Sequence, residues 1–191
     1  PVVSSAASDV YKRQELLQQA ANKGYAKSIG VSNYTIEMIE EACATLDDLP
    51  VCNQVEFHPY LDQSKLFAAA TRLGIALSAY CPLAKGRIFG DPVIKTLAAK
   101  YNRSEAQIIL RWIVQKGVSA NPMSTKPENL SANLEAVNFN LSAPDSAAID
   151  RLGKKGLRIV DKIGCQLLQS GTDILANIMI YLTFSQTEIT A

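Results

Sequence analysis

Several groups of residues in this chain have types and spacing suited to chemistry. Ser32 and Asn33 stand side by side, and a further side-chain amide follows at Gln54. Hydroxyls and amides both donate and accept hydrogen bonds, so such residues can grip a polar ligand group. The same types also favour helix caps and turns. Tyr80 closes an apolar stretch and runs into Cys81, Pro82 and Leu83. An aromatic there serves either as core or rim packing or as a flat shelf for a ligand. Ser124, Thr125 and Lys126 precede Pro127. Hydroxyls, an ammonium and the N–H groups of a helix start make an anion receptor; the alternative is a capped surface helix with a solvated lysine. His58, inside Glu56-Phe-His-Pro-Tyr60, is the single imidazole and so the one histidine available as an acid or base.

Other chemistries find no support. There is no metal-ligand cluster, no G-x-G-x-x-G loop and no G-x-S-x-G elbow. Cys43, Cys52, Cys81 and Cys165 are widely spaced without a C-x-x-C pair, which points to reduced thiols in a cytoplasmic protein. A net charge of +1 supplies no field to gather nucleic acid or an acidic membrane surface. Ile174–Phe184 is apolar but interrupted by Asn177, and falls short of the ~20 residues a spanning helix needs. With 48% hydrophobic and 19% charged residues the chain reads as globular.

The elements that must position these residues alternate between short apolar strands and amphipathic helices, as βα units on a parallel sheet do. Strands are expected at Ser28–Val31, Cys52–Glu56, Ile75–Tyr80 and Val118–Pro122. Ile36, Ile39, Cys43 and Leu46 share one face of a helix. A second helix over Ser64–Leu73 ends at Gly74. Asp91-Pro92 is an N-cap followed by proline at the first helical position. Ser104-Glu-Ala-Gln107 is a capping box for a helix running through Trp112 to Gly117. A short helix is expected over Pro127–Asn133, and Ser142 caps a last one that Gly153 stops. Periodicity alone leaves open whether these units are part of a barrel or a small doubly wound sheet.

Both ends depart from this alternation. Residues 4–14 match the in-frame translation of a sequencing-library adaptor, so 1–14 are read as a disordered artefact foreign to the fold. Residues 162–191 are read as an atypical tail, frameshifted or foreign, with a short docking helix as the alternative.

Ile29-Gly-Val-Ser-Asn-Tyr34, Asn53-Gln-Val-Glu-Phe-His-Pro-Tyr60, Ala79-Tyr-Cys-Pro-Leu83 and Asn121-Pro-Met-Ser-Thr-Lys126 follow in that order. Together they resemble the second half of the aldo-keto reductase family, nearest its bacterial 2,5-diketo-gluconate reductase-like members. The resemblance covers residues 15–161. It implies an α/β fold, the C-terminal half of a (β/α)8 TIM barrel with about four βα units, a chain of 191 residues being short for the ~250 of a whole barrel. It implies NAD(P)H-dependent reduction of aldehydes or ketones, with a small carbonyl substrate, NADPH as cofactor and NADH as the other option. Ser32, Asn33 and Gln54 match residues that hold the nicotinamide carboxamide, and Tyr80 the ring that stacks on it. Cys81, Pro82 and Leu83 begin the loop folded over the pyrophosphate. Ser124, Thr125 and Lys126 match the binder of the 2′-phosphate, and Asn133 the contact to adenine. Met123 and Asn129 depart from the family, which often carries lysine and arginine there, and this opens the choice between the two cofactors. His58 falls on a non-catalytic family position and is read as structural or rim. No catalytic residue is assigned, because no position matches the family's aspartate, tyrosine, lysine and histidine. The chain alone is therefore expected to be inactive, and poorly stable with two open strand edges. A non-catalytic nucleotide-binding or accessory subunit of the same superfamily is the alternative.

Overall fold

A computed structural model describes residues 15–47, 49–160 and 178–181. The expectations for 1–14 and for most of the tail lie outside the described residues. The described residues divide into two compact units, one of residues 15–47, 49–53, 69–75 and 178–181, the other of 54–68 and 76–160.

In the first unit a helix over residues 15–22 (α1) leads through a turn at Gly24 into strand β1, Ser28–Ser32. Burial of Ile29 and Val31 fixes β1, and helix α2, Ile36–Thr45, buries Ile39 and Ala42. Thr35 caps α2: its hydroxyl accepts the Met38 N–H at 3.3 Å. Cys43, expected on the apolar face, is only half-buried. Strand β2, Cys52–Glu56, begins in this unit, and the end of helix α3, Ser64–Arg72, returns to it. The outer edge of β1, expected to be open, pairs antiparallel with strand β5, Ile178–Tyr181, in register Ser28↔Tyr181 to Val31↔Ile178. A row of free N–H and C=O groups at a sheet edge takes up an extended segment of high β propensity, which accounts for the strand at 178–181.

In the second unit strand β3, Ala76–Tyr80, lies parallel to β4, Ser119–Ala120. The fourth strand is shorter than its sequence suggests because Pro122 has no N–H to continue the ladder. Asn121 still donates its N–H to the Ala79 carbonyl at 3.1 Å. Helices α4, Pro92–Tyr101, and α5, Glu105–Gln115, start where expected. Asp91 accepts the Val93 N–H, and the Ser104–Gln107 capping box closes in both directions. The core centres on α5, with Ile108, Ile109 and Ile113 fully buried alongside Ile88, Ile94 and Ile149. Removing one such isoleucine to alanine costs roughly 2–5 kcal/mol, so α5 is the element the unit can least spare. Helix α6, Pro127–Leu134, and helix α7, Ala143–Asp150, complete the unit. Gly153 does not stop α7. It lies inside a 3-10 turn, Arg151–Lys155, buried where a Cβ would come 3.3 Å from that of Asp62. The left-handed residue that ends the turn is Gly156, at φ 60°.

Asp145 ties α4 to α7. Its Oδ2 accepts from Lys100 Nζ at 2.7 Å, Tyr101 OH at 2.5 Å and Ser142 Oγ at 2.6 Å. Lys100, then Ser142 and Tyr101, hold its carboxyl down from 3.8 to about 2. A depressed carboxyl stabilises the fold above its unfolded pKa, and the contribution fades as pH falls through the folded value. The unfolding midpoint of Asp145→Asn is therefore expected to lie below that of the parent chain at pH 5–7. The gap should close between about pH 4 and pH 2, and a constant gap in urea melts across that range would contradict the assignment.

Candidate functional site

The turn after β1 is built by its neighbours. Ser32 is buried, while Asn33 is exposed and takes a left-handed φ of 57°, a conformation asparagine tolerates better than most residues. Since Thr35 caps α2, the Ser32-Asn33 pair is not serving as the helix cap. Asn53, fully buried, clasps the next residue: its Oδ1 accepts the Tyr34 N–H at 3.3 Å and its Nδ2 donates to the Tyr34 carbonyl at 3.0 Å. That clasp fixes the course of residues 32–34. Sequence reading passed over Asn53, although its place beside Gln54 was the available signal.

In the second unit Gln54 and Tyr80 are half-buried, on β2 and at the end of β3. Beyond Tyr80 the backbone is strained: Cys81, Ala84 and Lys85 all have φ near 50°. Left-handed conformations at residues other than glycine cost of order 1 kcal/mol or more each, and they gather where a ligand is clamped. Cys81 and Leu83 are half-buried and Pro82 buried, so this stretch is packed. Burial pushes the Cys81 thiol up, with Glu56 acting the same way and Lys85 against it, so it stays protonated. The turns are held by Ala84 N–H to Cys81 O at 2.9 Å, Gly86 N–H to Leu83 O at 2.8 Å and Gly90 N–H to Glu105 Oε2 at 2.7 Å.

At the start of α6 Lys126 occupies the cap position without a side-chain cap bond. Ser124 Oγ instead accepts the Lys126 N–H at 3.1 Å, curling the segment just ahead of Pro127. Thr125, Lys126 and Asn129 are exposed, Ser124 and Asn133 half-buried, and Met123 is 94% exposed. Gln107, read from sequence only as a capping-box partner, also donates Nε2 to the Ala132 carbonyl at 2.9 Å and so fixes α6.

His58 is fully buried, not at a rim. Its Nδ1 accepts the Tyr60 N–H at 3.3 Å, which puts the proton on Nε2, and Nε2 donates to Glu56 Oε1 at 2.9 Å. Burial lowers its pKa, the Glu56 contact only partly opposing, so the ring is a neutral structural member. Glu56 also accepts the N–H groups of Ile159 at 2.6 Å and Val160 at 3.0 Å. Among the described residues no cluster of His, Cys, Asp and Glu could hold a metal, and no helix is long and apolar enough to cross a membrane.

The Aldo/keto reductase family matches residues 8–154, a span beginning within the adaptor-like run. Methylglyoxal reductase DkgB of Escherichia coli O157:H7 is 42% identical over 139 residues, 72% of this chain and 52% of that protein. A crystal structure of a putative 2,5-diketo-D-gluconic acid reductase B superposes with a TM-score of 0.77 at 33% identity, covering 80% of this chain and 54% of the other. A Bombyx mori aldo-keto reductase in complex with NADP gives 0.72 at 33% identity, covering 78% and 52%. The chain thus has the parallel-sheet α/β fold of these barrels and spans about half the length of the relatives it matches.

Asn53→Asp keeps the acceptor for Tyr34 N–H but sets a carboxylate oxygen against the Tyr34 carbonyl. It is expected to destabilise the chain by about 1–3 kcal/mol at pH 7, read as a lower urea midpoint. Acidification, which restores a donor, should narrow the deficit relative to the parent at the same pH.

Proposed function

Because this chain belongs to the aldo/keto reductase family, we propose that it supplies the cofactor-holding part of a reductase that converts aldehydes or ketones to alcohols with NADPH. The observation that carries the reading is the left-handed backbone at Cys81, Ala84 and Lys85, directly after Tyr80. Strain of this kind persists where surrounding structure holds a loop ready for a ligand. When bound, the reduced nicotinamide supplies the hydride.

The residues present fit such a group. The Ser32 hydroxyl and the Asn33 amide sit on a turn whose course the Asn53 clasp has already set. We assign both to the nicotinamide carboxamide, whose two donors and one acceptor suit them, and assign Gln54 to the same group. Tyr80 is assigned to the ring face, and Cys81, Pro82 and Leu83, through their backbone, to the pyrophosphate. Fixing the amide and ring fixes which face is offered to the carbonyl carbon, and orientation of that kind is a large share of catalysis. Ser124, Thr125 and Lys126 are assigned to the 2′-phosphate and Asn133 to the adenine. Lys126 makes no ion pair with another described residue, which leaves its ammonium for an anion. Asn129 adds an amide but no charge, so Lys126 carries the preference for NADPH over NADH. The relatives named for methylglyoxal and for 2,5-diketo-D-gluconic acid support a small carbonyl compound as the substrate class.

Calorimetric titration of the purified chain with NADPH should show saturable one-to-one binding. Lys126→Ala is expected to weaken NADPH by about tenfold while leaving NADH within about twofold, since only the former loses a charge-assisted contact. Methylglyoxal turnover by the 191-residue chain is expected to be absent, because proton transfer to the carbonyl oxygen falls to residues it does not contain. Failure to bind either nucleotide would falsify the cofactor reading. Turnover at a rate ordinary for a reductase would overturn the division of labour.

A further inference from the structure

The loop 81–90 ends at Asp91, and a distant part of the chain grips that residue. Asp91 Oδ1 is occupied by the α4 cap, accepting the Val93 N–H at 2.9 Å. Its Oδ2 takes two other donors, Tyr60 OH at 2.7 Å and Lys155 Nζ at 2.8 Å, and the same ammonium lies 3.8 Å from the centre of the Tyr60 ring. Capping α4 needs only the first oxygen, so the second contact is in excess of what the helix requires.

Lys155 reaches Asp91 because the chain around it is laid down against residues 56–62 at successive points. Gly153 packs closely against Asp62, where a Cβ would come 3.3 Å from the Asp62 Cβ, and Gly156 turns the backbone left-handed. Leu157 then donates its N–H to the Tyr60 carbonyl at 2.9 Å, and Ile159 and Val160 donate theirs to the two oxygens of Glu56. Glu56 is itself 1% exposed and steadied by His58. Burial raises the Asp91 pKa, but the bonds from Lys155, Tyr60 and Val93 outweigh it and hold the carboxyl below its usual range. The Asp91 bond in turn raises Lys155, so the contact is an ion pair at neutral pH.

We propose that residues 155–160 form a strap that positions the loop 81–90 for its ligand, with Lys155 and Tyr60 acting through Asp91 and Glu56 anchoring the far end. That this ligand is the cofactor rests on the function proposed above. A loop with three left-handed residues other than glycine gains by relaxing, and fixed ends add to its own turn bonds in keeping it from doing so. At the near end the Phe57 N–H donates to the Tyr80 carbonyl at 3.3 Å. At the far end the strap supplies the restraint. Tyr60, Lys155 and Glu56 are positioning residues: each works through another group and none is placed against the reacting atoms.

The test is amide hydrogen exchange on the full chain with Lys155→Met, Lys155→Arg and Glu56→Gln. Lys155 is 48% exposed at its side chain, so its replacement leaves the core intact and the variant folds. Exchange at Gly86, Arg87 and Phe89, whose N–H groups close the turns of the loop, is expected to rise about tenfold in Lys155→Met and to return in Lys155→Arg. Glu56→Gln replaces one of the two acceptor oxygens with an NH2 group that cannot receive an N–H, so one of the Ile159 and Val160 contacts is lost, and the same amides should exchange faster. Binding supplies a second reading. NADPH should weaken about tenfold in Lys155→Met, while adenosine 2′,5′-bisphosphate, which lacks the nicotinamide half and the loop's pyrophosphate, keeps its affinity. Exchange at the parental rate in Lys155→Met overturns the strap. Faster exchange with both nucleotides weakened alike overturns it too, since that marks general loosening. If the parent chain binds neither nucleotide, the cofactor reading falls and the exchange rates alone decide whether the strap holds the loop.

Discussion

A carboxylate buried at the end of a strand must be given hydrogen-bond donors, and much of the second unit follows from meeting that demand at Glu56. Leaving such a group unpaired costs several kcal/mol. The chain meets it with one imidazole N–H and two consecutive backbone N–H groups from a segment about a hundred positions later. The first donor fixes the tautomer of His58 and, through Nδ1, the turn into Tyr60. The other two dictate where the chain runs after α7. One buried charge therefore sets the geometry of a strand end, a histidine and the last described stretch before residue 160.

The division between stiff and strained parts follows element type. Helix α5 presents an apolar face of isoleucines and the indole of Trp112 to the core, and its cap is closed at both positions. It is a platform on which Gln107 also fixes α6. Among the described residues, left-handed conformations at residues other than glycine fall in the loop segments after strands and at one helix end, at Asn33, Cys81, Ala84, Lys85 and Asn102. A rigid frame that concentrates strain in loops at strand ends is the arrangement barrel folds use for binding.

Much of this was readable because it is local. Asp91-Pro92, Ser104 with Gln107, and Ser142 announce helix starts through chemistry completed within four residues, and the structure has each one. Strands β1 to β3 follow from apolar runs and begin and end within a residue or so of expectation. What escaped is what depends on distant partners. Nothing near Glu56 tells that its donors are Ile159 and Val160, and nothing near Asp91 names Lys155. Gly153 looked like a helix stop because glycine usually serves that end, whereas here it makes room for Asp62. The left-handed Cys81, Ala84 and Lys85 were equally silent, since none of those types favours the conformation. Of the candidate site, the residue types were legible and the restraints that hold them were not.

Trp112, the chain's one tryptophan, has a consequence of its own. Its indole is 4% exposed, its Nε1–H donates to Asp150 Oδ1 at 2.9 Å, and the Phe57 ring lies 5.6 Å away. The Lys116 ammonium stands 4.9 Å from the ring and pairs with the same Asp150 oxygen at 2.7 Å. An indole flanked by a fixed cation and a fixed anion sits in a local electric field that shifts its emission. The junction of α5 with the end of α7 thus carries a built-in optical gauge, whose colour reports the spacing of Lys116 and Asp150 without any added label.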